Sequence, residues 1–324
     1  MSLARFLTRT KRRFILLPPV SFLIRKSKAI YFPGFQGISL FDVIRFFFLQ
    51  AKKVGFTERA SAISFNFTMT IPPVIIFLFT LLPYLPISKD FTNQMFQVIK
   101  DIVPGEKNNQ PVIKFLRDIL SHPRTGLLST GFILAMFFSS NAVMGIMRSF
   151  DKQYVGFIKR KGLQQRLVAL RLTFILFILF VACVFLLVMQ SAILKWIGIK
   201  RALFITIIRD LRWFFIILLV FFSVSFIYRW APSVHKRWKL ISPGSILATF
   251  LMIVFTAAFS WYVSNFSHYN ELYGSISTIL ILMILIYLNS LVLLIGFELN
   301  VSINSLKHEV DERKKNLAGG HHAV

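Results

Sequence analysis

The sequence predicts an all-α, polytopic membrane protein with six transmembrane helices and amphipathic interfacial helices beside them. Three observations carry that prediction. The chain is 56% hydrophobic over 324 residues and holds 37 Phe, more apolar surface than a water-soluble core of this length can hide. Six apolar runs reach the about 20 residues that cross a roughly 30 Å hydrocarbon core at helical rise. Lys and Arg outnumber Asp and Glu by 38 to 13 and gather in alternate loops, as cytoplasmic segments do. In a water-soluble chain that excess would point to nucleic acid. Here it matches membrane lipids, including anionic lipids at the cytoplasmic face, and no nucleic-acid partner is expected.

Residues 1–37 read as a basic cytoplasmic arm. Arg5, Arg9, Lys11, Arg12 and Arg13 precede an apolar run, the order found in a signal peptide. Pro18 and Pro19 interrupt that run, Arg25, Lys26 and Lys28 follow it, and no small-residue cleavage site is evident, so no cleavage is expected. Residues 38–56 hold an amphipathic helix. Ser39 and Asp42 resemble a capping box. Asp42, Arg45, Lys52 and Lys53 share one arc, with Leu40, Phe41, Ile44, Phe47 and Phe48 facing away. Such a helix lies in the interface rather than across it.

The membrane domain is placed at 57–305. Its first span, 63–85, carries Pro72 and Pro73 near its middle, which remove backbone donors and predict a kink. With Asn66 just before them, they are candidates for a broken helix lining a cavity or for a merely kinked one. The outer loop 88–124 predicts two short helices, divided at Pro104-Gly105 and ended by Pro123. The second span, 126–147, places Gly131, Ala135 and Ser139 at steps of four, which lets another helix approach closely. Ser140 and Asn141 follow as a polar pair, read either as structural or as lining a path. The third and fourth spans are 172–194 and 211–230. The lone cysteine, Cys183, lies within the third and cannot form an intramolecular disulfide.

Spans five and six, 246–266 and 275–299, form a hairpin. Its turn is rich in Tyr, Asn, Ser and Gly and lacks Lys and Arg; Tyr262, Asn265, Tyr269, Asn270, Tyr273 and Gly274 are candidate polar or aromatic positions there. The exit carries Glu298 and Asn300, and an ionisable residue in a membrane segment is a functional candidate by default. Glu298 stands more than about 20 residues into its span, so it should reach headgroup level, as an ion-pair partner or as a site residue. Residues 306–324 read as a short, charged, mobile cytoplasmic tail, with His321 and His322 as solvated residues.

With six spans, the Lys and Arg on one side number 12 ahead of the first span, 7 and 4 in the two even-numbered loops (counting Arg229 at the edge of the fourth span) and 4 in the tail, together 27 of the 38. That bias puts both termini in the cytoplasm. The turn Tyr269–Ser275 and the exit Glu298–Asn300 then lie on opposite faces and cannot share one site. No Gly-rich phosphate loop, HExxH, paired cysteines or GxSxG is present. No enzyme, catalytic residue, metal or cofactor is expected.

The hairpin resembles the most characteristic part of the BrkB/YihY family of bacterial inner-membrane proteins. The marks are Trp238–Gly244, Tyr262-Val263, Asn265-Phe266, Tyr269-Asn270, Tyr273-Gly274-Ser275 and Gly296–Asn300. The segment Arg59–Pro73 is similar to the family's first-span signature, and the resemblance runs from about Val43 to Ser305. Departures are Phe65-Asn66-Phe67, where Tyr is commoner, and Phe297, where Ala is frequent. The resemblance implies six spans, cytoplasmic termini and the bacterial inner membrane. It also implies links to envelope integrity, serum resistance and movement of lipid precursors. An older ribonuclease label for the family is set aside, because no nuclease metal cluster is written in the chain. The reading is a transporter or flippase for a lipid or amphiphilic envelope precursor. The alternative is a non-transporting membrane scaffold. A third reading, an intramembrane enzyme, lacks the paired catalytic groups that it would need.

Overall fold

The structure is a computed structural model. It describes residues 25–30, 34–35, 37–51, 55–84, 110, 113–114, 117–118, 120–121, 125–151, 157, 160, 162–196, 201–234, 237–266 and 276–319. Seven α-helices are named from these: α1 (Leu40–Ala51), α2 (Phe56–Leu81, continued by a 3-10 turn at Leu82–Tyr84), α3 (Thr125–Phe150), α4 (Gly162–Trp196), α5 (Arg201–Trp230), α6 (Pro243–Phe266) and α7 (Ile276–Gly319). Six of them, α2 to α7, are long and apolar enough to cross a membrane, so the all-α class with six spans stands.

The chain divides into two compact units. One comprises residues 1–55, Ser242–Gly244 and Ile295–Val324; the other comprises Phe56–Ile241 and Ser245–Leu294. In the first unit, the predicted capping box starts α1. Ser39 Oγ accepts the Asp42 N–H at 3.2 Å and donates to Asp42 Oδ2 at 2.7 Å. Val43 on α1 packs with Phe35, Ile38 and Ile303 in a small core, against which Leu40, Leu299 and Leu306 also rest. Ile44, Phe48 and Leu49 remain exposed, the apolar surface expected of an interfacial helix.

In the larger unit α2, α3 and α4 pack in chain order, followed by α5. Gly131 is buried on α3, and a Cβ there would stand 3.4 Å from the Phe77 Cα of α2. Phe77, Phe132 and Phe177, one from each of α2, α3 and α4, form a ring of tilted and edge contacts with centroids 5.4–5.6 Å apart. Offset and edge geometries are those that aromatic quadrupoles prefer. Tyr228 of α5 is almost fully buried, and its hydroxyl donates to the Leu293 carbonyl at 2.6 Å.

Three helices are more continuous or longer than their apolar runs. α2 is not interrupted at Pro72-Pro73, since both prolines lie inside one continuous helix. Pro72 is on the exposed side, and in the turn before it the Thr68 and Thr70 hydroxyls donate to the Ser64 and Asn66 carbonyls. The last helix continues past the sixth span, through 299 and into the segment read as a tail. α7 runs on to Gly319, because residues 306–317 are rich in the good helix formers Leu, Lys, Glu and Arg, and His308 and Glu312 stand 3.4 Å apart at i,i+4. α4 also begins ten residues before the predicted third span, at Gly162 rather than 172. Arg166 and Arg171 belong to its shaft; charge ended the apolar run but not the helix. Most of the outer loop 88–124 falls outside the described residues. Those described there, Gln110, Ile113, Lys114, Arg117, Asp118, Leu120 and Ser121, are helical.

Candidate functional site

Helical Ser and Thr in apolar surroundings ordinarily donate back to the carbonyl four residues earlier. Most do so here. Thr70, Ser149, Thr173 and Ser290 donate to the carbonyls of Asn66, Gly145, Ala169 and Ile286 at 2.8–2.9 Å. Thr70 also reaches the Phe138 carbonyl of α3 at 3.2 Å, fastening α2 to α3.

Ser64 and Ser245 donate elsewhere, to the Met283 and Leu240 carbonyls, and three other buried hydroxyls stand apart from both patterns. Ser140 on α3, Ser225 on α5 and Thr249 on α6 are sequestered from water, and among the described residues their hydroxyl oxygens have no hydrogen-bond partner. Each lies in the half of its helix nearer the loops 151–161 and 231–242. Those loops meet. Phe157 and Val234 form an isolated antiparallel bridge, and the Arg160 guanidinium donates to the Ala231 and Pro232 carbonyls at 3.0 Å and to that of Trp230 at 3.4–3.5 Å. A cation on the last carbonyls of α5 satisfies groups the helix itself cannot and complements its dipole. Burial pushes the Arg160 pKa down from its ordinary value, against the pull of Asp151, and Arg237 adds like-charge repulsion. Asp151 is exposed as a residue, yet partial burial of its carboxyl raises its pKa, opposed by Arg160 and by the hydrogen bond from Gln165.

The predicted polar residues separate into groups. Asn66 packs on α3: its Nδ2 donates to Ala62 O at 2.7 Å and would stand 3.0 Å from a Cβ added at Gly145. Asn141 is one residue from Ser140 but turns to α4, where its Oδ1 accepts from Arg166 Nη1 at 2.5 Å. The same guanidinium lies 4.9 Å from the Phe137 ring centroid. Tyr262 and Asn265 are exposed at the far end of α6, and the Asn265 amide donates to Trp261 O at 2.8 Å. Tyr269, Asn270, Tyr273 and Gly274 lie outside the described residues.

Glu298 and Asn300 belong to the smaller unit, and both are buried. Asn300 Oδ1 accepts the Gly244 N–H at 2.9 Å, and its Nδ2 donates to Ser242 Oγ at 2.9 Å. Sequence reasoning missed Ser225, Thr249 and Arg160. The first two read as ordinary small residues in apolar runs, and Arg160 was only one of a loop's many charges. Among the described residues, no three His, Cys, Asp or Glu come together as metal ligands.

The sequence pattern of the family described as virulence factor BrkB matches residues 47–319. The ribonuclease-like protein YfkH of Bacillus subtilis (strain 168) is 29% identical over 261 residues, 79% of this chain and 92% of that protein. A UPF0761 membrane protein of Tolumonas auensis is 31% identical over 99 residues, 30% of this chain and 33% of that one. Another, from Xanthomonas campestris pv. campestris (strain B100), is 33% identical over 89 residues, 28% of this chain and 21% of its own length. No solved structure matches.

Proposed function

The chain belongs to the virulence factor BrkB family, and from that premise we propose that it carries a lipid or other amphiphilic envelope precursor across the bacterial inner membrane, with both termini in the cytoplasm. The observation that carries this reading is the trio of buried, unpartnered hydroxyls, Ser140, Ser225 and Thr249. In a purely structural bundle each would be expected to bond to its own helix, as Thr173 and Ser290 do. A buried hydroxyl left without a partner costs about 1–3 kcal/mol. Three of them on three helices suit an interior that accepts a polar group in passing. The basic loops at that end suit an anionic amphiphile.

The test is translocation of fluorescent phospholipids and lipid-linked precursors in proteoliposomes. Acceleration over empty liposomes is expected, and no change across the lipid panel would sink the reading. The nuclease word in the Bacillus relative's name stays with that protein.

A second reading, a non-transporting scaffold for envelope proteins, has its own support in the close helix contacts at Gly131 and Gly145. It predicts a stable protein partner in crosslinking and liposomes that stay inactive.

A further inference from the structure

A recess of about 50 Å³ opens beside α4 and α5, near the end where loops 151–161 and 231–242 meet; Arg160, Arg171 and Arg237 line it. One water needs roughly 10–15 Å³ by the same measure, so the recess has room for a phosphate-sized group. The rest of its lining is apolar: Val168, Leu172 and Ile175 of α4, and Trp230. Trp230 is held flat against Phe226, with ring centroids 5.0 Å apart and planes 3° apart.

Among the described residues no carboxylate lines this recess, and Asp151 acts on Arg160 from outside it. Arg160 is committed to the carbonyls at the end of α5 and acts as a fixed charge. Arg171 and Arg237 are exposed, and neither makes a hydrogen bond or ion pair among the described residues. Three guanidinium groups facing one small volume repel one another unless an anion sits between them. A guanidinium fork fits phosphate oxygens in pairs. An apolar floor with a Trp at the span end is what the glycerol and first acyl carbons of a lipid would meet.

We propose that this recess binds the phosphate of an anionic membrane lipid, with Arg171 and Arg237 closing on it in front of the fixed charge of Arg160. Binding here holds whether or not the lipid is then moved, so it does not rest on the transport reading. Lipid retained in proteoliposomes that show no translocation would end that reading and leave this one standing.

The test is native mass spectrometry of the full chain released from phosphatidylcholine nanodiscs doped with phosphatidylglycerol. Wild type should retain phosphatidylglycerol in preference to phosphatidylcholine. The double variant Arg171→Gln/Arg237→Gln should lose about tenfold in retention, as expected when a charge-assisted hydrogen bond goes. Arg45→Gln/Arg148→Gln removes the same charge away from the recess and should retain lipid as wild type does. Arg171→Lys/Arg237→Lys keeps the charge without the fork. It should fall between wild type and the glutamine variant, which keeps the test valid if the latter misfolds.

Equal losses in the recess and control variants would overturn the proposal, because general surface charge would then explain retention. No loss in either recess variant would overturn it as well. Displacement of phosphatidylglycerol by millimolar inorganic phosphate, with phosphate then held in pure phosphatidylcholine discs, would overturn the assignment to a lipid.

Discussion

Asn300 caps α6 from α7. Its Oδ1 accepts the Gly244 N–H at 2.9 Å, the kind of orphan donor that a helix N-terminus leaves open. Its Nδ2 meanwhile fixes the Ser242 hydroxyl at 2.9 Å. Asn300→Leu would strand the Gly244 N–H in a site closed to water, a loss of about 1–3 kcal/mol, and would remove the bond to the Ser242 hydroxyl. Thermal unfolding in detergent should show a clear fall in Tm. Asn300→Asp keeps the acceptor for Gly244 and should lose less.

Glycine positions should separate by what surrounds them. A Cβ at Gly244 would overlap the Gly296 carbonyl oxygen and press on the Asn300 side chain. Backbone cannot swing aside as a side chain can, so Gly244→Ala should destabilise by at least the about 1–3 kcal/mol typical of overpacking. At Gly145 the neighbour is the end of the Asn66 amide, 3.0 Å away, and a side chain can move; the loss should be smaller. Gly126 faces open space, and Gly126→Ala in the first turn of α3 should be neutral or stabilise by up to about 1 kcal/mol. The rank order of the three Tm values checks this.

What was legible in the sequence followed from local chemistry. Ser39 and Asp42 are three residues apart, so their capping box needed no knowledge of the rest of the chain, and the structure forms it. The six spans were legible because length and hydropathy are also local. Helix ends were less so: Arg166, Arg171 and the charged Lys307–Lys315 break an apolar run without breaking a helix. Long-range partners were beyond reach. Nothing in the residues around Gly244 tells of Gly296, 52 positions on, or says that Thr173 finds a carbonyl and Ser225 does not. Arg160, Arg171 and Arg237 entered the sequence reading as charge totals, because only folding turns three loop and helix charges into one recess.

Asp151 gives a pH dependence with a defined sign. Partial burial raises its pKa in the folded protein, with Arg160 and Gln165 pulling the other way. The folded state therefore holds the proton more tightly than the unfolded chain. Its stabilising contribution is complete below the ordinary carboxylate pKa and is lost as pH rises through the raised folded value. Asp151→Asn keeps an oxygen acceptor for Gln165 and removes that titration. The wild-type minus variant difference in Tm should thus fall as pH rises across the acid range and then level off at neutral pH.

The orphaned hydroxyls yield a prediction in which stability and activity move apart. Ser140→Ala, Ser225→Ala and Thr249→Val each remove an oxygen that is buried and unpartnered. Deleting such a group leaves no broken hydrogen bond behind, so each variant should be neutral or more stable, by up to about 1 kcal/mol. If the hydroxyls serve a passing polar group, the triple variant should translocate lipid more slowly in proteoliposomes while its Tm holds or rises. Thr173→Val is the matched control. It removes a hydroxyl that already bonds to Ala169 O at 2.8 Å, and it should leave the translocation rate unchanged. A triple variant that is more stable and equally fast would show that the three hydroxyls have no part in transport.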